Sequence, residues 1–299
     1  MRQLLKVVPV GILLAFVGSA ATLAAAPHEP SAPIDRTVYI SITDDDGRPV
    51  AGLTPADIVV KEGGKEREIV RAVPATARMR LALAVEERLI GDRSVRLALF
   101  EFVKRIIETA DVSLLTIGLR HQTVVDYTSN LETFVAGINK LSLDPSRDSQ
   151  VAESVLDLAK EFTAKKAERG VLVVVSQSGG QSGVDSRTVL NAIRDSGMTM
   201  HAVTLGIRDV TPTGAGSLNE QSGREQVLGD GPKQSGGRRV EVAASGAIRT
   251  GLQQVADDLL AQYAVTYTLP DGVKPDRRFN ATVKRRGVTV RAPSAIPDR

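Results

Sequence analysis

Apolar and polar positions alternate at 37–50, TVYISITDDDGRPV, until the pattern breaks on Asp44, Asp45, Asp46 and Gly47, which predicts a half-buried strand ending in a tight turn. DIVVKEGGKEREIVRAV, from Asp57, predicts two more short strands around Gly63 and Gly64. From Arg80 the period changes. LALAV at 81–85 is apolar throughout, as in a parallel strand buried on both faces. Leu99, Phe102, Val103 and Ile106 then fall at helical spacing, and DVSLLTIGL reads as a second buried strand. HQTVVDYT, from His121, alternates like an edge strand, and Leu131, Phe134, Val135 and Ile138 mark the next helix. A longer helix at 149–166, the β-branched run GVLVVVSQSGG, a helix at 186–195 and the strand MTMHAVTLGI continue the series. Strands alternating with helices predict a parallel sheet covered on both faces.

Residues 208–240 interrupt this order with Gly, Ser, Gln and charged residues and no apolar period, which predicts a long flexible loop. Leu252, Val255, Ala256, Leu259 and Leu260 then form a helical stripe, and YAVTYTL, RRFNATVKR and VTVRA predict three closing strands. The predicted fold class is α/β: a doubly wound, mostly parallel sheet at 79–265, inserted in a small β-rich subdomain. That subdomain is assembled from strands at 37–75 and at 263–299.

Arg2 and Lys6 precede an apolar stretch at 7–17 and the small-residue run GSAATLAAAP, which predicts a secretory leader at 1–26 and a Pro-rich linker at 27–36. The apolar part is shorter than the roughly 20 residues a membrane helix needs, so no integral membrane segment is expected after cleavage. The chain has no Cys, so an exported form relies on its core. Lys and Arg number 38 against 35 Asp and Glu, a near balance that gives no basic stripe for nucleic acid. With 6 Phe, 4 Tyr and no Trp, stacking platforms for sugars or bases are not expected either.

Candidate chemistry lies where LALAVEERLIG leaves its strand, because open α/β sheets place ligands at the carboxyl ends of strands. Glu86, Glu87 and Arg88 there form either a solvated rim with a surface ion pair or the remains of a site. SQSGGQSG, from Ser176, lacks the Gly-Lys-Ser/Thr ending of a phosphate loop and the Gly-x-Ser-x-Gly of a nucleophile elbow. His121 and His201 sit in or beside strands and read as structural; His28 lies in the linker.

The stretch TVYISITDDDGRPVAGLTPADIVVKEGGKEREI, the helix-to-strand passage QVADDLLAQYAVTYTLPDG and the hairpin RRFNATVKRRGVTVRA occur in an order that resembles the von Willebrand factor A family, in particular its VWFA-related bacterial exported members. The resemblance implies a metal-ion-dependent adhesion site of Asp-x-Ser-x-Ser after the first strand, a Thr in a later loop and an Asp after the fourth strand. Glu86 stands at the first Asp position, neither serine is present, Ser149 falls near the Thr position, and Gln177 falls at the last Asp position. The site is therefore expected to be degenerate, with no cofactor and no working metal. Arg88 would replace the ion by pairing with Glu86 and Asp148; an unusual metal site on Glu86, Ser149 and Ser178 is the other option. The resemblance implies an exported, periplasmic or secreted, non-enzymatic module that binds or scaffolds another protein. Its contact rim would be Glu86, Glu87, Arg88, Asp148, Ser149, Gln177 and Ser178. A metal-dependent adhesion module with atypical ligands and a hydrolase using dispersed carboxylates are the alternatives.

Overall fold

Pro74 and Tyr263 face each other across two antiparallel strands, and the chain between them forms a separate three-layer unit. The structure, a computed structural model, describes residues 33–141, 149–178, 182–206 and 215–297, with 215–222 described by backbone alone. The leader at 1–26 and most of the linker lie outside the described residues.

The small sheet has the strand order β11-β2-β3-β10-β1-β12, every pair antiparallel. Its strands are β1 (Ile34–Asp44), β2 (Ile58–Glu62), β3 (Lys65–Pro74), β10 (Gln262–Leu269), β11 (Phe279–Val283) and β12 (Val288–Arg291). Three come from the start of the chain and three from its end. Because strand side chains alternate, Val38, Ile40 and Ile42 of β1 share one face with Val265 and Tyr267 of β10, and this face forms the sheet's core. Gly63 and Gly64 both take positive φ, +61° and +78°, as a two-residue turn between β2 and β3 demands. β1 starts at Ile34, inside the segment predicted as linker.

The inserted unit has the order β6-β5-β4-β7-β8-β9, built from β4 (Met79–Glu86), β5 (Ala110–Ile117), β6 (His121–Thr128), β7 (Gly170–Gln177), β8 (Thr199–Leu205) and β9 (Arg239–Val242). All pairs are parallel except β5 with the edge strand β6. Helices α2 (Arg93–Ile106), α3 (Leu131–Lys140) and α7 (Ile248–Leu260) cover one face, against Leu81, Leu83 and Val85. Helices α4 (Val151–Lys165), α5 (Ser186–Ser196) and α6 (Ala215–Ser235) cover the other, against Ala82, Ala84 and Val174. The continuous apolar run of β4 is thus explained by burial on both sides. A short helix α1 (Glu87–Ile90) follows β4 directly.

The flexible loop predicted at 208–240 is corrected over its described part: 215–235 is α6 and 239–242 is β9. Among its described side chains, the buried face of α6 carries Arg224, Val227, Leu228, Gly231, Pro232 and Ser235, a helical stripe in which Val227 and Leu228 are the branched aliphatic members. Packing there rests on close approach. A Cβ added at Gly231 would come within 2.8 Å of Met200 Sδ, and Ser235 Oγ accepts from Met200 N–H at 2.9 Å. A hydrophobic period cannot register a helix that packs by small residues.

Two arginines, Arg169 and Arg291, tie the unit to the small sheet. The Arg169 guanidinium, 5% exposed, donates to Gln262 Oε1 (2.9 Å), Ala77 O (2.9 Å) and Leu259 O (2.8 Å), joining the two strands of chain that cross between the layers. Arg238 grips the fully buried Asp258 through two bonds of 2.5 and 2.7 Å, and Arg291 of β12 reaches the same carboxylate at 3.5 Å.

Candidate functional site

β4 is the central strand where connections diverge: α2 crosses one face to β5, and α4 crosses the other to reach β7. Open α/β sheets place their ligand sites at such a divergence, which here falls at the carboxyl ends of β4 and β7. The two strands run in register, Val85 opposite Val175, so Glu86 and Gln177 end side by side. Glu86 Oε2 accepts from the Gln177 backbone N–H at 2.7 Å. The same oxygen accepts from Arg224 Nη2 at 2.9 Å, and that nitrogen also donates to Gln177 O at 2.8 Å. One carboxylate, the backbone N–H and C=O of one residue and one guanidinium close a ring. Glu86 is 3% and Arg224 2% exposed, so the ion pair sits out of water.

The expectation that Arg88 would pair with Glu86 is therefore corrected. The cation on Glu86 comes from α6, across the other face of the sheet, and Arg88 lies on the exposed side of α1. Glu87 turns the other way: its carboxylate packs on Gly118, where an added Cβ would meet Oε2 at 2.7 Å. Ser149 is buried just ahead of α4, and its Oγ has no partner among the described residues. Ser178 N–H donates to Leu205 O at 2.7 Å, which ties the end of β7 to β8. Asp148 lies outside the described residues. Of the predicted rim, Glu86 and Gln177 are in direct contact. Arg224 was missed because it stands in a stretch whose composition reads as loop; the Val227-Leu228 pair three and four residues on was the available signal.

This arrangement does not fit the divalent ion that the resemblance implies. Mg²⁺ requires six oxygen ligands in near-octahedral geometry. Glu86 Oε2 and Gln177 O are both engaged by the guanidinium, which brings a fixed positive charge to the place such an ion would need. Among the described residues, no group of three or more His, Asp or Glu is placed to hold a metal ion.

A second polar cluster lies near the small sheet. His201 is fully buried in β8, its Nδ1 accepting from Arg238 N–H at 3.1 Å, and burial pushes its pKa down to about 4 despite the nearby Asp258 carboxylate. Burial also pushes the Arg169 guanidinium down to about 10. Tyr39, partly buried and donating to Glu168 Oε1 at 2.9 Å, is raised to about 12. His121 lies 3.5 Å from Glu161 near the surface.

No family model matches the chain, and no curated protein matches it. Solved structures resemble it in part. Proximal thread matrix protein 1 from the mussel byssus is 10% identical, with 72% of this chain and 51% of that chain covered and a TM-score of 0.47. An aerotolerance-related membrane protein from Bacteroides fragilis, with multiple mutations to serines, is 14% identical over 60% of this chain and 98% of that chain, TM-score 0.41. The conserved hypothetical protein BatB from Bacteroides thetaiotaomicron is 13% identical over 61% and 98%, TM-score 0.42. The chain spans about half the length of the mussel protein. Among the described residues, no helix is long and apolar enough to cross a membrane.

Proposed function

We propose that this chain is an exported, non-enzymatic, von Willebrand A-like protein-binding or scaffolding module, in which a built-in guanidinium stands where such modules hold a metal ion. The observation that carries the reading is the buried contact of Arg224 with Glu86 and Gln177 at the divergence of the parallel sheet. A metal ion at strand ends fixes loops and supplies positive charge to a partner; a guanidinium held at 2.9 and 2.8 Å does the first permanently and at any metal concentration. The leader-like start of the sequence supports export, and the order of sequence motifs supports the family.

Metal titration tests this. An ion bound by folded protein alone stabilises it by about 2.7 kcal/mol at one hundred times Kd. Millimolar Mg²⁺, Ca²⁺ or EDTA is expected to leave the melting temperature unchanged. Saturable, EDTA-reversible stabilisation would replace the reading with a metal-dependent module using atypical ligands.

A further inference from the structure

We propose that the cleft between β1 and the starts of β7 and β8 is a binding site for a small organic carboxylate with an apolar body. It lies at the end of the parallel sheet opposite Glu86 and Gln177, and it is independent of the reading given above. Its walls are β1, the turns entering β7 and β8, the end of α6 and the returning segment 293–297, and its volume is about 440 Å³. That is the size of an ordinary small-ligand cleft, and it opens where two structural units meet, a frequent position for one.

The lining decides the class of ligand. Val38, Ile193, Met198 and Ile296 give it an apolar floor, with the Tyr39 ring beside them. Around that floor stand four cations, Arg36, Lys166, Arg169 and Arg194, against two carboxylates, Asp35 and Glu168. Both carboxylates are already engaged by hydroxyls: Glu168 accepts from Tyr39 at 2.9 Å and Asp35 from Thr268 at 2.5 Å. Among the cations, Arg36 is balanced by Glu62 at 3.0 Å. The others are not balanced in this way. Arg169 is buried with its donors on the neutral oxygens of Gln262, Ala77 and Leu259. Arg194 bonds Asn191, and its buried Nε has no partner among the described residues. Lys166 makes no ion pair among the described residues and holds a left-handed backbone, φ +49°, at the edge of the cleft.

A desolvated guanidinium without a carboxylate favours an anion, and an apolar floor favours a hydrocarbon body. A phosphate is the poorer fit, because a dianion meets Asp35 and Glu168 more unfavourably. The carboxylate could belong to a free organic acid or to the carboxyl end of a peptide.

The full chain is titrated with 4-phenylbutyrate and with 4-phenylbutyramide, followed by ligand-observed NMR. The acid is expected to saturate with a Kd of about 1 mM, ordinary for a dozen non-hydrogen atoms, and about tenfold tighter than the amide. Lys166→Gln and Arg194→Gln, at positions that carry no core packing, are each expected to weaken the acid about threefold, and Lys166→Arg to retain it. Lys104→Gln, on the exposed side of α2 over the other face of the sheet, is expected to change nothing. A tripeptide with a free carboxyl terminus, compared with its amidated form, separates the sources: discrimination there assigns a peptide end, and binding of the phenylbutyrate alone assigns a free acid. Equal affinity for acid and amide, no saturation of the acid, or full binding in both Gln variants with melting temperatures unchanged would overturn the proposal.

Discussion

At the residue scale, the Glu86–Arg224 pair and His201 each make a measurable claim. Removing one partner of a buried ion pair leaves the other charged and desolvated, which costs roughly 3–5 kcal/mol, whereas removing both together costs far less. Arg224→Met should therefore lower stability by about 4 kcal/mol, and Glu86→Gln with Arg224→Met should recover more than half of that loss. Denaturant midpoints of the two single variants and the double variant measure the coupling; additive losses would mean that the pair does not act as a unit. His201 predicts a pH dependence. Its pKa is about 6.5 when unfolded and about 4 in the buried site, where Asp258, Arg238 and Arg291 face it. The unfolded state binds more protons between those values, so His201 contributes stability that is complete above pH 6.5 and declines as pH falls towards 4. The shift corresponds to roughly 3 kcal/mol. His201→Gln should flatten stability between pH 7 and 4.5, and an unchanged slope would show that other groups control acid unfolding.

At the element scale, what the sequence disclosed depended on how each element packs. Alternation at 38–42 and the unbroken run at 81–85 were legible because strands bury aliphatic side chains in fixed periods, and β1 and β4 follow them. Helix α6 was not legible, because Gly231 and Ser235 occupy its buried face where a hydrophobic period would need Leu or Val. With α6 unread, the cation on Glu86 could not be assigned either: the sequence offered Arg88, two residues away, and the fold supplied Arg224. Glycines in this region separate into two kinds. At Gly229 an added Cβ would meet its nearest neighbour, Arg239 Nη1, at 3.5 Å, an ordinary contact, while at Gly237 it would lie 1.8 Å from the Met200 carbonyl oxygen. Gly229→Ala should stabilise by about 0.5–1 kcal/mol through reduced backbone entropy of the unfolded chain. Gly237→Ala should destabilise by about 3 kcal/mol, because backbone must move. Thermal melts of both decide it, and equal effects would mean that α6 and its exit do not pack this closely.

At the scale of the whole molecule, the question is whether two sheets make one cooperative unit. The α/β unit enters through β3 and leaves through β10, which are paired neighbours in the small sheet, so its two connections emerge side by side. Arg169 bonds to both connections, and Asp258 of α7 joins Arg238 beside β9 to Arg291 of β12. Separation of the sheets would strand these charges, which argues for a single unfolding transition. Cutting the chain after Pro270 removes β11 and β12. β2 then keeps β3 but loses β11 along Ile58–Glu62 and becomes an edge, β1 loses the pairing from Ser41 to Asp44, and Asp258 loses Arg291. The truncated protein should expose the face of Ile58, Val60 and Tyr267, bind a hydrophobic dye and melt at lower temperature, because an unpaired apolar edge and an uncovered core face both favour association. Calorimetry of the truncated and full chains provides the measurement. A truncated chain that stays soluble and melts in one transition at the full chain's temperature would show that the closing strands are dispensable and that the junction arginines alone hold the molecule together.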